Sequence, residues 1–128
     1  MRELEKRVYK HLKERGWHQL RPSDIAKSIA IESGKLLELF QWENKPLADI
    51  KRNKEKVGKI GKELADVLMY ALDMAVLLEL DTEKIIRDHL KHIEKKYPAT
   101  LMKKYSKDEP GTEDVYWRIK RHYRRLGK

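Results

Sequence analysis

From Lys62 to Leu80 the chain reads KELADVLMYALDMAVLLEL. Apolar side chains recur there at the helical period and not in strict alternation, which makes this segment a helix and not a strand. A helix apolar on most sides needs other elements to cover it, so a helix over about Gly61 to Leu80 is expected to be the central and most buried element. Asp66, Asp73 and Glu79 interrupt the stretch from Leu64 to Leu80, which argues against a membrane span.

The rest of the chain is punctuated as helices too. A first segment, Arg2 to Glu14, places Leu4, Val8, His11 and Leu12 on one face and stops at Gly16. Pro22-Ser23-Asp24 opens a second helix, with Ser23 or Asp24 expected as its N-cap. Its core stripe is Ile25, Ile29, Leu36, Leu39 and Phe40, and it is expected to end near Glu43, before Asn44-Lys45-Pro46. A short helix over Leu47 to Lys54 follows, then a loop or bend around Val57-Gly58 and Gly61. Asp81 caps a further helix reaching Lys96, which Tyr97-Pro98 stops. No strand or internal repeat is evident, and 128 residues suit one domain with a real core. The expectation is an all-α bundle over residues 1–104, with a linker and a C-terminal helix over 105–128.

That last segment has Lys107-Asp108-Glu109-Pro110-Gly111 as its linker. Thr112 then caps a helix with Glu113 and Asp114 at its start and Arg124 and Arg125 at its end, which suits the helix dipole. Tyr116, Ile119, Tyr123 and Leu126 make an apolar stripe, and Arg118, Lys120, Arg121 and Lys128 add to the basic side. Such a helix docks by its stripe with the basic face in water, or it grips a phosphate backbone or an anionic membrane. The docked reading is the simpler of the two.

Cysteine is absent, which excludes disulfides and thiolate metal sites. The charged N-terminus lacks the apolar core of a signal peptide, so a soluble, cytoplasmic protein is expected. A formal net charge of +9 favours acidic partners, nucleotides or nucleic acid among them. A thermophile-like surface rich in Lys, Arg and Glu accounts for it equally well.

Acids inside apolar helices are costly unless paired or metal-bound. Glu32 sits in such a stretch, IAIESGKLLELFQW. Glu63 and Asp66, three apart, project from one helix face, which Tyr70 and Asp73 continue. Facing helices that each lend inward acids form an oxygen-rich site suited to Mg²⁺. Pairing with Lys35 and Lys62, or a solvated edge, is the structural alternative.

Four segments in order, ERGWHQLRP, IESGKLLELFQW, KELADVLMYALDMAVLLELD and KHIEKKYP, resemble those of MazG-like and dCTP pyrophosphatase-type nucleotide pyrophosphohydrolases. The resemblance spans residues 14–98, and LLELFQW and ELADVLMY are its most specific parts. It implies a four-helix bundle, a homodimer or homotetramer, and Mg²⁺-dependent hydrolysis of a (d)NTP to (d)NMP and pyrophosphate, a reaction suited to house-cleaning of the nucleotide pool. It also implies that Glu32, Glu63 and Asp66 are metal ligands. Lys35 stands where the family has its fourth acid, Ile93 where it has Asn, and Arg21 where the dCTP-type proteins have His. Trp17 and Trp42 fall on family tryptophans and, with Arg21, Tyr70 and Lys96, are the substrate-binding candidates. Lys35 either neutralises the acids, replaces one metal ion by touching a phosphate, or points away while Glu38 or Asp73 fills in. The reaction thus has Glu32, Lys35, Glu63 and Asp66 as its candidate catalytic set. The alternative is a catalytically degenerate oligomer that binds nucleotide or nucleic acid.

Overall fold

The computed structural model describes residues 2–104 and 112–128. Helix is the only regular structure among them: α1 (Arg2–Glu14), α2 (Pro22–Glu38), α3 (Leu47–Arg52), α4 (Lys54–Leu77), α5 (Thr82–Lys96), α6 (Ala99–Lys104) and α7 (Thr112–Arg125). The expected all-α class holds. No described helix is long and apolar enough to cross a membrane. By internal contacts the chain forms two compact units, Met1–Thr82 and Glu83–Lys128.

In the first unit α1, α2 and α3 all pack on α4. Val8 and Leu12, one turn apart on α1, meet Leu72 of α4 in the core, with Val76 and Leu77 against them. Burying each such side chain contributes roughly 1.5–3 kcal/mol. Ile25 of α2 and Ala75 of α4 are buried as well. Glu5 accepts a hydrogen bond from the Thr82 backbone N–H at 3.1 Å, tying α1 to the end of this unit.

Several expected boundaries move. Helix α4 begins at Lys54 and runs straight through Gly58 and Gly61, where a bend was expected. The Asn53 side chain accepts from the Lys56 N–H at 3.0 Å, and this cap starts the helix early enough to carry both glycines. The N-cap of α2 is Arg21, not Ser23 or Asp24, because Pro22, with its fixed φ, takes the first helical position. Helix α2 ends at Glu38, and residues 39–43 continue as tight turns. α4 is central, as expected, but far less buried than its composition suggests. Val57, Leu64 and Leu68 share one of its faces and stay exposed.

Three helices end in the same hydrogen-bond pattern. The Trp17, Leu80 and Lys128 N–H groups each reach back five residues, to the carbonyls of Leu12, Ala75 and Tyr123. The residue before each donor is left-handed: Gly16 (φ 69°), Glu79 (φ 56°) and Gly127 (φ 72°). Glu79 takes this conformation with a Cβ, at a steric cost that glycine avoids.

In the second unit Tyr97 stacks on Tyr116 at 5.2 Å, and His92 meets Tyr123 edge-on at 6.0 Å. α6 was not anticipated. The segment 107–111 expected as a linker, and the side chains of Thr112, Glu113 and Asp114 expected at the start of the last helix, lie outside the described residues.

Candidate functional site

Because α2 packs on α4, Glu32 of α2 faces Glu63 and Asp66, which sit one turn apart on α4. One carboxylate oxygen from each lies within 4.8 Å of the other two. Glu32 is buried, and Glu63 and Asp66 are half-buried. Glu32 Oε2 and Glu63 Oε2 are buried without any hydrogen-bond partner among the described residues. An acceptor stranded in this way costs about 1–3 kcal/mol or more, which a bound cation offsets. All-oxygen carboxylate donors of this kind fit Mg²⁺.

Lys35 Nζ lies 3.2 Å from Glu32 Oε1. The hydrogen bond and charge of Glu32 hold the Lys35 ammonium above its ordinary pKa, and Glu63 and Asp66 add to this. Lys35 therefore turns toward the acids, not away. Its side chain is nevertheless 50% exposed, whereas that of Glu32 is 12% exposed. The ammonium caps one carboxylate from the solvent side and leaves the inner oxygens of Glu32 and Glu63 free. Three carboxylates and one ammonium leave two net negative charges, which matches a divalent ion.

Next to this cluster is a cavity of about 410 Å³ whose walls include His11, Trp17, Ser28, Asp66, Tyr70 and Asp73. Asp66 belongs to both. Tyr70 and Asp73 follow Asp66 along the same face of α4, while Trp17 comes from the turn after α1 and meets His11 edge-on at 6.0 Å. Burial pushes the Asp73 carboxyl above the usual carboxylate range, with His11 opposing. Asp73 Oδ1 has no hydrogen-bond partner among the described residues. Asp73 is not in the acidic cluster, so it does not stand in for the missing fourth acid; neither does Glu38, which is exposed.

Of the other substrate-binding candidates, two in the first unit stand apart from the cavity wall. Arg21 is exposed at the N-cap of α2 and is not part of the cavity wall. Trp42, 89% exposed in the turns after α2, is no core anchor and does not line the cavity. Lys96 belongs to the second unit, its Nζ 5.3 Å from the Tyr97 ring centroid and 5.0 Å from that of Tyr123. It is thus half-buried on aromatic faces and not simply solvated. Ile93 is partly exposed on α5.

Sequence reasoning missed Lys56. Its ammonium donates to the Leu39 carbonyl, lies 3.4 Å from Glu43 Oε1 and sits 5.3 Å from the Phe40 ring centroid. It thereby satisfies a carbonyl at the C-terminus of α2 and pins the turns that carry Trp42. His11 was assigned only to an apolar face, and its place in the cavity wall depends on where α1 meets α4.

No protein-family profile matches the chain, and no curated protein matches it. Among solved structures it is similar to a pyrophosphatase from Archaeoglobus fulgidus, at 32% sequence identity and a TM-score of 0.65, over 77% of this chain and 92% of that one.

Proposed function

We propose, from the fact that the chain belongs to the family of the Archaeoglobus fulgidus pyrophosphatase, that it is a Mg²⁺-dependent nucleoside triphosphate pyrophosphohydrolase of the MazG-like type. It splits a (d)NTP with water into (d)NMP and pyrophosphate, within the cytoplasmic nucleotide pool. The observation that carries this reading is Asp66, which stands in the acidic cluster and in the cavity wall at once. A polyphosphate at the cluster is then continuous with a base in the cavity.

Glu32, Glu63 and Asp66 would hold Mg²⁺, which supplies shielding of phosphate charge and acidification of a water. Lys35 has an exposed ammonium with room to leave Glu32 for a phosphate oxygen, where it stabilises charge on the transferred group. Trp17 and Tyr70 offer aromatic faces to a nucleobase, and stacking on such a face tolerates every base. Asp73, His11 and Ser28 supply the polar edge that would discriminate between bases. The exposed face of Val57, Leu64 and Leu68 on α4 supports a homo-oligomer, with a second copy covering it.

The Lys35–Glu32 ion pair favours a second reading, a family member that binds nucleotide without turning it over. Pyrophosphate release from a panel of (d)NTPs, with and without Mg²⁺, separates the two. Wild-type turnover that needs Mg²⁺ and disappears in Asp66→Ala supports the enzyme. Silence in wild type with turnover in Lys35→Glu marks the degenerate member. Silence in both removes the proposal.

A further inference from the structure

About half of the described cations before α7 lie within ion-pair distance of an acid, most of them one turn away. Lys10 pairs with Glu14, Lys27 with Asp24, Arg52 with Asp49, Lys59 with Glu55, and Arg87 with Glu83. Helix α7 departs from this pattern. From Val115 to Lys128 there is no Asp or Glu, and Arg118, Lys120, Arg121, Arg124, Arg125 and Lys128 pair with no described carboxylate. All six are exposed. A thermophile-type surface of interleaved ion pairs therefore does not explain the run from Lys120 to Lys128.

At 100° per residue, Trp117, Arg121 and Arg124 fall on one line along α7, with Lys120 and Arg125 flanking it on either side. The opposite face carries Tyr116, Ile119 and Tyr123, all half-buried. It is held within the second unit by the Tyr97–Tyr116 stack and by the contacts of His92 and Lys96 with Tyr123. A helix that entered a bilayer would need that apolar face free. Here it is already committed, and what remains outward is cationic with one aromatic ring in it. Trp117 is 50% exposed, and Lys120 Nζ lies 5.0 Å from its ring centroid. An indole set among guanidinium and ammonium groups matches unpaired bases on a phosphate backbone.

We propose that the outward face of α7 is a binding surface for single-stranded nucleic acid, with Trp117 stacking on a base and Lys120, Arg121, Arg124 and Arg125 contacting phosphates. The proposal does not rest on the nucleotide hydrolysis proposed for the acidic cluster.

The test is fluorescence anisotropy of the full chain with a labelled single strand of about twelve bases, as RNA and as DNA, each with a 5′-hydroxyl. A duplex of the same sequence and vesicles of phosphatidylserine and phosphatidylcholine are run beside it. Single strands are expected to bind about tenfold tighter than the duplex, because only they offer free base faces. Four phosphate contacts on a single strand predict a log–log salt slope of about −3. Trp117→Ala is expected to weaken binding about tenfold with little change in that slope. The double variant Arg121→Glu, Arg124→Glu abolishes binding, and Arg121→Lys with Arg124→Lys largely keeps it. These side chains are exposed, so the circular dichroism spectrum stays that of wild type. The proposal is overturned by absence of binding at low salt, by binding indifferent to the charge reversal, or by equal single-strand and duplex affinity with Trp117→Ala silent. Binding to vesicles in place of oligonucleotides overturns it equally.

Discussion

Lys35→Met should separate the two effects of the lysine on the acidic cluster. Methionine has a similar length and no charge, and the position is half-exposed, so the fold tolerates it. In wild type, Lys35 Nζ lies 3.2 Å from Glu32 Oε1. An ion on the other oxygen of Glu32, at the usual Mg–O distance of about 2.1 Å, sits roughly 6 Å from the ammonium. Even with the full screening of water, a unit charge and a divalent ion at about 6 Å repel enough to weaken binding about tenfold. Losing the ammonium should therefore tighten Mg²⁺ or Mn²⁺ binding about tenfold in calorimetric titration, and more weakly at high salt. Turnover should move the other way. A lysine that stabilises charge on the transferred phosphoryl group is missed only in the transition state, so kcat falls by about 10²-fold or more while metal affinity rises. Metal affinity equal to wild type, or lower, would refute the placement of the ammonium beside the ion. Tighter metal binding with unchanged kcat would refute its contact with phosphate.

Four further outcomes follow from the geometry. Asp73 has a folded pKa raised above the ordinary 3.8, so its stabilising contribution is present below that value and lost as pH rises through the raised one. Asp73→Asn should flatten this decline in chemical denaturation and be the more stable protein at neutral pH. Glu79→Gly relieves the left-handed φ of 56° and should stabilise the fold by about 1 kcal/mol, seen as a raised Tm. Gly58→Ala meets no neighbouring atom within 4 Å and should stabilise α4 by about 0.8–1 kcal/mol in the same assay; a lower Tm would mean that this face is covered in the assembled protein. Leu68→Asp should convert an assembled species to a monomer in light scattering, and a wild type that is monomeric at all concentrations would remove the oligomer proposal.

What was legible in the sequence was local. Gly16 ended α1, and Thr82 to Lys96 emerged as a helix, because a glycine at a left-handed position and an apolar period are written within a few residues of where they act. The shared face of Asp66, Tyr70 and Asp73 was equally readable from spacing. The start of α4 was not. Two glycines argued for a bend, and the cap that overrides them depends on Asn53, whose neighbours gave no apolar cue. The end of α2 was set from Lys56, distant in sequence, whose ammonium reaches the Leu39 carbonyl. The cavity was hidden for the same reason, since His11 and Trp17 meet the acidic face of α4 only once α1 has packed on it. Composition also misled in one respect. Central position in the fold did not bring burial, because Val57, Leu64 and Leu68 face away from α1, α2 and α3.

Asp66 has one carboxylate to serve two neighbours, the acidic cluster and the cavity. Whatever occupies either place acts on the same side chain, so the two occupancies are thermodynamically linked. Linkage is reciprocal: the factor by which a cation changes the affinity of the cavity for its occupant equals the factor by which that occupant changes the affinity for the cation. With a cation on the cluster, an occupant that draws Asp66 toward the cavity would weaken the hold on it, and one that leaves Asp66 turned to the cluster would keep that hold. Discrimination among occupants of the cavity can then be exercised on the ion, through a residue that reads no base itself.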